Sequence, residues 1–446
     1  MLIDECAKLL RLRRRALGGR VPLAVCARVA TFLIALVASL LPANGQDVRT
    51  TAQSAEWKVG VASTKITPEE RLHMAGYASR TEPAEATEQD LFGKAIAIED
   101  RHGNRVVFVT LDLIGVLREL RSEVAARVEE KYQLSPHSLL MNASHTHCGP
   151  AYGAEDAKAY FDWLATTLVE LVGQSLDRLQ PAQISYSFAS CSVAMNRRTP
   201  SRDGFLNHPN PHGPVDHSVP VLSVRNPGDG ALRAVVFGYA CHNTTMGFRK
   251  WLGDYAGYAQ EYFEKDHPGV TALFMMGCGG DQNPYPRHDL KYAQLHGRSL
   301  ATAVEAALET NQGTLRHQRP IHGPLSSVLE TVDLEFATPD RPDFAYPVQV
   351  IRFGNDLMLV ALGTEAVVDY ALRLKRELTQ PDGPAVWIAG YSNVQDGYIP
   401  TQRVLLEGGY EANSRPWKPT LEERIVGKVH QLVERPTDDA SESEAK

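Results

Sequence analysis

The sequence predicts a mixed α/β fold, with strands and helices alternating in one large domain whose site lies at strand ends. Three observations predict it. Short apolar runs at 57–62, 138–143, 233–240, 270–276, 357–362 and 385–389 are mostly closed by Gly, Pro, Asn or Asp, the pattern of buried strands. Stretches with helical spacing fall between them, at 117–132, 157–179, 294–308 and 366–378. Polar residues cluster at the run ends: Ser144-His145-Thr146-His147-Cys148, His242-Asn243, Gly280-Asp281-Gln282-Asn283, Glu365 and Tyr398. In mixed or parallel sheets ligands bind at strand ends, so these tips point to one site.

Along the chain, residues 57–62 open the folded part and lead into Ile66-Thr67-Pro68, followed by the Gly-containing loop 73–78. Residues 95–98 and 105–113 read as a hairpin around the turn 100–104. The helix at 117–132 is stopped by Leu134-Ser135-Pro136. Residues 200–220, rich in His, Pro, Asn and Gly, read as a long exposed loop of the kind that forms lids. No internal repeat or break in composition divides 46–435, which is expected to be one catalytic domain. The polar, acidic tail 436–446 is expected to be disordered.

The start of the chain has the marks of export. Six arginines between 11 and 28 precede a 13-residue apolar run at 29–41, then Pro42-Ala43-Asn44-Gly45. A basic lead, a short apolar core and small residues at the exit make a signal peptide over 1–45. The run is short for a membrane span, although an uncleaved anchor is the alternative. Cleavage after Gly45 moves the net charge from −7 to about −12. So acidic a protein is a poor nucleic-acid binder. Cys148, Cys191, Cys241 and Cys278 remain, and an oxidising compartment would permit disulfides among them. No CxxC pair is present, which leaves a cysteine-based zinc site little support.

His145 and His147 lie two apart and share a face of an extended segment. His242 offers a second imidazole, Glu365 a carboxylate and Tyr398 a phenol that a metal would help ionise. Neutral imidazoles with a carboxylate are the ligand chemistry of hydrolytic zinc. Singly, each has a plainer reading. A histidine at a strand end is commonly structural, Glu365 suits a helix start, and Tyr398 suits a core edge.

Together with Met74-Ala75-Gly76-Tyr77-Ala78, SHTHCGP at 144–150, Met195-Asn196-Arg197-Arg198, HNTTM at 242–246 and GDYAGYA at 253–259, these tips resemble the neutral/alkaline non-lysosomal ceramidase family. GDQNP at 280–284, GYIPT at 397–401 and Gly409-Tyr410-Glu411 extend the likeness over nearly the whole mature chain, which looks like a divergent bacterial-type member. That family consists of zinc amidases acting on N-acyl sphingoid bases. The resemblance implies one zinc per chain on His145, His242, Glu365 and Tyr398. It makes His147 a non-ligand active-site histidine, and Arg197 and Tyr410 active-site residues. Without it, Arg197 would read as a surface ion pair and Tyr410 as a core aromatic.

Two departures stand out. The family's GDxSP serine is Asn283 here, an amide that can donate a hydrogen bond but cannot act as a serine-type nucleophile. The longer members' C-terminal β-sandwich is also expected to be missing. The resemblance implies a zinc-activated water attacking an amide, assisted by His147, Arg197 and Tyr410, with Asn283 donating to the substrate. Asp281 would either orient a ligand histidine or cap a turn. The substrate would be a lipid or small N-acyl compound, met in the periplasm or outside the cell with possible peripheral membrane contact. The alternatives are an amidase or esterase on a smaller polar or sugar-derived substrate, and a non-catalytic binding protein that keeps the fold.

Overall fold

A computed structural model describes residues 56–309, 319–338 and 341–435. The expected signal peptide and acidic tail lie outside the described residues. The largest element is a sheet with strand order Thr271–Met276, Leu232–Tyr239, Ser218–Arg225, Gln180–Ser190, Trp57–Lys65, Phe92–Asp100, Arg105–Leu111 and Leu139–Ala143. Its neighbours run antiparallel except at the two ends, where Leu232–Tyr239 pairs in parallel with Thr271–Met276, and Arg105–Leu111 with Leu139–Ala143. A second sheet has the order Leu325–Leu334, Phe344–Phe353, Leu357–Leu362 and Ala385–Ala389, its last pair parallel.

Alternation along the strands shows why the apolar runs are continuous: both faces of each sheet are covered. Ile96 and Ile98 enter the layer between the sheets, where they share a core with Phe108, Leu140, Leu273, Leu359 and Trp387. Ala95, Ala97, Val107 and Val109 point the other way, into a core shared with helices Arg118–Tyr132 and Lys158–Asp177. Farther along the same sheet, Val235, Phe237, Phe274 and Met276 pack on helices Asp254–Asp266 and Leu290–Leu308. The outer face of the smaller sheet buries Val348, Val360 and Leu362 against helices Val368–Leu378 and Leu421–Val433. The result is four layers, helix–sheet–sheet–helix.

The predicted helices are present, shifted by a residue or a turn. The one expected at 294–308 begins at Leu290, where the Asp289 side chain accepts the Lys291 N–H at 3.1 Å and so caps the first turn. The predicted hairpin is also present, its turn closed by Asp100, which accepts from the backbone of His102 and Asn104.

The expected loop at 200–220 is corrected in part. Ala194–Ser201 and Gly204–Asn210 form an antiparallel hairpin, joined on its inner edge by Gln282–Pro284. Proline, asparagine and glycine argue against a strand, but an edge position tolerates them, and Gly204 at φ +115° supplies the reversal. Among the described residues, no helix is long and apolar enough to cross a membrane.

Candidate metal centre and active site

The polar tips converge because the strand ends are tied together. Asn142, fully buried in Leu139–Ala143, accepts the Met276 N–H at 2.7 Å and donates to Gly390 O at 2.7 Å. One side chain thus joins the ends of three strands, two from the large sheet's opposite edges and one from the smaller sheet. Asn243 does the same one step further on. It donates to Ser144 O, accepts from Ala256 N at 3.1 Å, and its own carbonyl takes the His147 N–H at 3.2 Å. Asn142 escapes a sequence reading, since it looks like an ordinary member of its run, whereas Asn243 is visible as a polar tip but its role in tying the strand ends is not.

His145 has φ +62° and Thr364, just before Glu365, has φ +55°. Non-glycine residues rarely hold that conformation, and for β-branched Thr364 it is a true outlier, the kind of strain that gathers at functional sites. Glu365 and Tyr398 are register partners in a two-residue parallel pairing, which sets their side chains beside each other.

In this frame four donor groups meet. His145 Nε2 and His242 Nε2 each lie 3.2 Å from Glu365 Oε2, and His242 Nε2 lies 3.3 Å from the Tyr398 hydroxyl. All four residues are buried. His145 Nδ1 is 2.5 Å from Ile114 O, and His242 Nδ1 is 2.7 Å from Gly279 O. A carbonyl only accepts, so each Nδ1 carries the proton and each Nε2 turns a lone pair inward. Glu365 Oε1 accepts from Gln395 Nε2 at 2.9 Å, whereas the buried Oε2 has no hydrogen-bond donor. Three acceptors facing one another with no proton among them fit a cation.

His147 is a third imidazole in the cluster, its Nε2 3.1 Å from His145 Nε2. It differs from the other two in that its buried Nδ1 has no partner to fix the tautomer. Gly76 lies against it. A Cβ at that position would come within 2.4 Å of His147 Cγ, and Gly76 has φ +98° besides.

Electrostatics agree with this chemistry. Burial, then Arg197, pushes His242 down to about 3. Burial, then His145 and His242, pushes His147 well below its ordinary value. Burial pushes the Tyr398 phenol well up, against the pull of Arg197.

Arg197 is buried, with Nε donating to Glu411 at 2.9 Å and its two NH groups to Asn283 Oδ1 and Gly280 O at 3.2 and 2.8 Å. Its guanidinium lies 5.3 Å from the Tyr398 ring centroid and 5.4 Å from that of Tyr410. Arg198 donates to the other Glu411 oxygen at 2.6 Å. The surface-ion-pair reading of Arg197 therefore fails, and so does the core-aromatic reading of Tyr410, which is 54 % exposed at the rim. Asn283 Oδ1 also accepts from Thr244 Oγ1 at 3.3 Å.

Both readings of Asp281 are replaced. It accepts the N–H of Val368, the first residue of helix Val368–Leu378, and the Asn196 side chain, so it caps a distant helix and ties the hairpin to it. Burial raises its carboxyl to about 6. The four cysteines are buried and free, with no disulfide among them.

Comparison with known proteins decides the family. The description "Neutral/alkaline non-lysosomal ceramidase, N-terminal" matches residues 57–284, just over half of the chain. The chain belongs to that family. The matched segment carries His145, His147, Arg197, His242 and Asn283, while Glu365, Tyr398 and Tyr410 lie beyond it. A neutral ceramidase from Pseudomonas aeruginosa is 23% identical over 437 residues, covering 89% of this chain and 62% of the relative. Neutral ceramidase B of Dictyostelium discoideum is 24% identical over 278 residues, covering 55% of this chain and 38% of the relative. The crystal structure of the Pseudomonas neutral ceramidase superposes with a TM-score of 0.71 at 19% identity, over 85% of this chain and 73% of that one. The chain thus spans less than two thirds of these curated relatives, and it shares the neutral ceramidase fold.

Proposed function

We propose that this chain is an exported zinc-dependent amidohydrolase that cleaves the amide of an N-acyl sphingoid base or a related N-acyl lipid. The observation that carries the reading is the inward set of unprotonated acceptors at His145, His242 and Glu365, with Tyr398 beside them, in a ceramidase-family chain. These four residues would hold the metal. Zinc, when bound, supplies a Lewis acid that brings a water toward ionisation near neutral pH and polarises a carbonyl.

The chain's own residues supply the rest. His147, its Nε2 3.1 Å from His145 Nε2, stands in the same cluster, within reach of the reacting groups, where an imidazole can assist proton transfer or donate to developing negative charge. Arg197, anchored by Glu411, holds a fixed positive charge against the Tyr398 ring and stabilises negative charge developing there. Tyr410 offers an exposed hydroxyl at the rim.

The test is metal analysis with turnover of a panel of N-acyl amines, products identified by mass. About one zinc per chain is expected, with most of it lost in His145→Ala and His242→Ala. His147→Ala should keep the metal and lose turnover. Full zinc in both ligand variants would sink the assignment. N-terminal sequencing of the exported protein checks the cut after Gly45.

A further inference from the structure

Tyr77 packs edge-on against His147, with ring centroids 4.8 Å apart. Two guanidinium groups attend this tyrosine. Arg80 lies 4.7 Å from the ring centroid and gives its two NH groups to the carbonyls of Ala75, His147 and Phe248, while its Nε is buried without a partner. Arg287 donates to the Tyr77 hydroxyl at 3.2 Å, and that is the one hydrogen bond it makes among the described residues. No carboxylate pairs with it there, and its Nε is buried without a partner. Arg287 also continues a polar series at steps of two. Asn283 binds Arg197 and donates to the Tyr285 hydroxyl at 3.4 Å, and Arg287 follows two residues on.

A half-buried guanidinium with an unspent, desolvated donor is costly unless something completes it. The net charge of the whole chain is −7, so this uncompensated cation is a local feature and not part of a general basic surface. Its planar fork matches a carboxylate or phosphate better than any neutral group. We propose that Arg287, aligned by the Tyr77 hydroxyl, holds an oxyanion of the substrate. Among the N-acyl lipids of that reading, the preferred substrate is then one that carries a carboxylate or phosphate. The inference rests on the amide-hydrolase reading and narrows its substrate.

The test uses the zinc-loaded full chain and three compounds with one acyl chain: N-lauroylglycine, N-lauroyl phosphoethanolamine and N-lauroylethanolamine. Wild type is expected to favour one of the two anionic compounds in kcat/KM by about 10- to 100-fold, the range of one or two charge-assisted hydrogen bonds. Which one it favours separates carboxylate from phosphate. Arg287→Ala should lower the anionic-to-neutral ratio at least about tenfold with zinc content unchanged, and Arg287→Lys should keep part of it. A ratio that Arg287→Ala leaves unmoved, or a wild type that favours the neutral compound, overturns the proposal. If wild type cleaves none of the three, the hydrolase reading fails separately. Calorimetric binding of N-lauroylglycine and N-lauroyl phosphoethanolamine then decides: weaker binding of either to Arg287→Ala supports the oxyanion site, and equal binding of both removes it.

Discussion

His145 and His242 are each positioned by a strand end and oriented by a backbone carbonyl. The first of these facts is legible in the sequence, because a histidine closing an apolar run must sit near a strand tip. The second is not, since every residue offers a carbonyl and nothing marks Ile114 or Gly279 as the acceptor. The same asymmetry hides Asn142, whose amide spans three chain segments up to 250 residues apart while its sequence context reads as core. Gly76 is intermediate: its motif is visible, its reason is not. The reason is contact with His147, which an added methyl would displace. Gly76→Ala is therefore expected to lower kcat by about 100-fold, the cost of misplacing a reacting group by about an ångström, while zinc content stays at the wild-type level. Steady-state kinetics with elemental analysis checks this, and an active Gly76→Ala enzyme would show that His147 need not stay where it is.

At the scale of elements, strands buried on both faces were legible because their apolar runs are unbroken, whereas the hairpin Ala194–Ser201 and Gly204–Asn210 was not. Its composition is that of a loop, and what makes it a hairpin is distant. Glu411, more than 200 residues later, receives Arg197 and Arg198 on its two oxygens and holds the hairpin against helix Tyr410–Asn413. Burial opposes the charge on Glu411, but the two arginines hold its carboxyl below the ordinary value of 4.5. Its stabilising contribution is therefore complete above that ordinary value and is lost as pH falls through the lowered one. Glu411→Gln leaves two buried guanidinium groups short of charge and should destabilise the protein at pH 7 by about 3–5 kcal/mol. The gap to wild type should narrow on acidification below about pH 4 as wild type loses the same charge. Urea denaturation across pH measures both, and a gap that ignores pH would mean that the carboxylate's charge contributes nothing.

At the scale of the whole molecule, the candidate ligands come from different layers. His145 and His242 extend strands near opposite edges of the large sheet, Glu365 follows a strand of the smaller one, and Tyr398 is its register partner. A bound metal would therefore join the two sheets where Asn142 already ties them. Without it, the buried Oε2 of Glu365 faces two imidazole lone pairs at 3.2 Å, an arrangement in which like partners meet. Metal removal should then cost stability across the four-layer body and not only activity. For a ligand that binds the folded state alone, the gain is about 2.7 kcal/mol at a free concentration 100 times Kd. Chelator-treated protein is expected to melt several degrees lower, to recover on zinc addition, and to show a melting temperature that climbs with zinc concentration. His145→Ala and His242→Ala should melt low and ignore added zinc, whereas His147→Ala should respond as wild type does. Melting temperatures indifferent to chelation in the wild type would mean that these side chains hold one another without a cation, and the amidohydrolase reading would lose its metal.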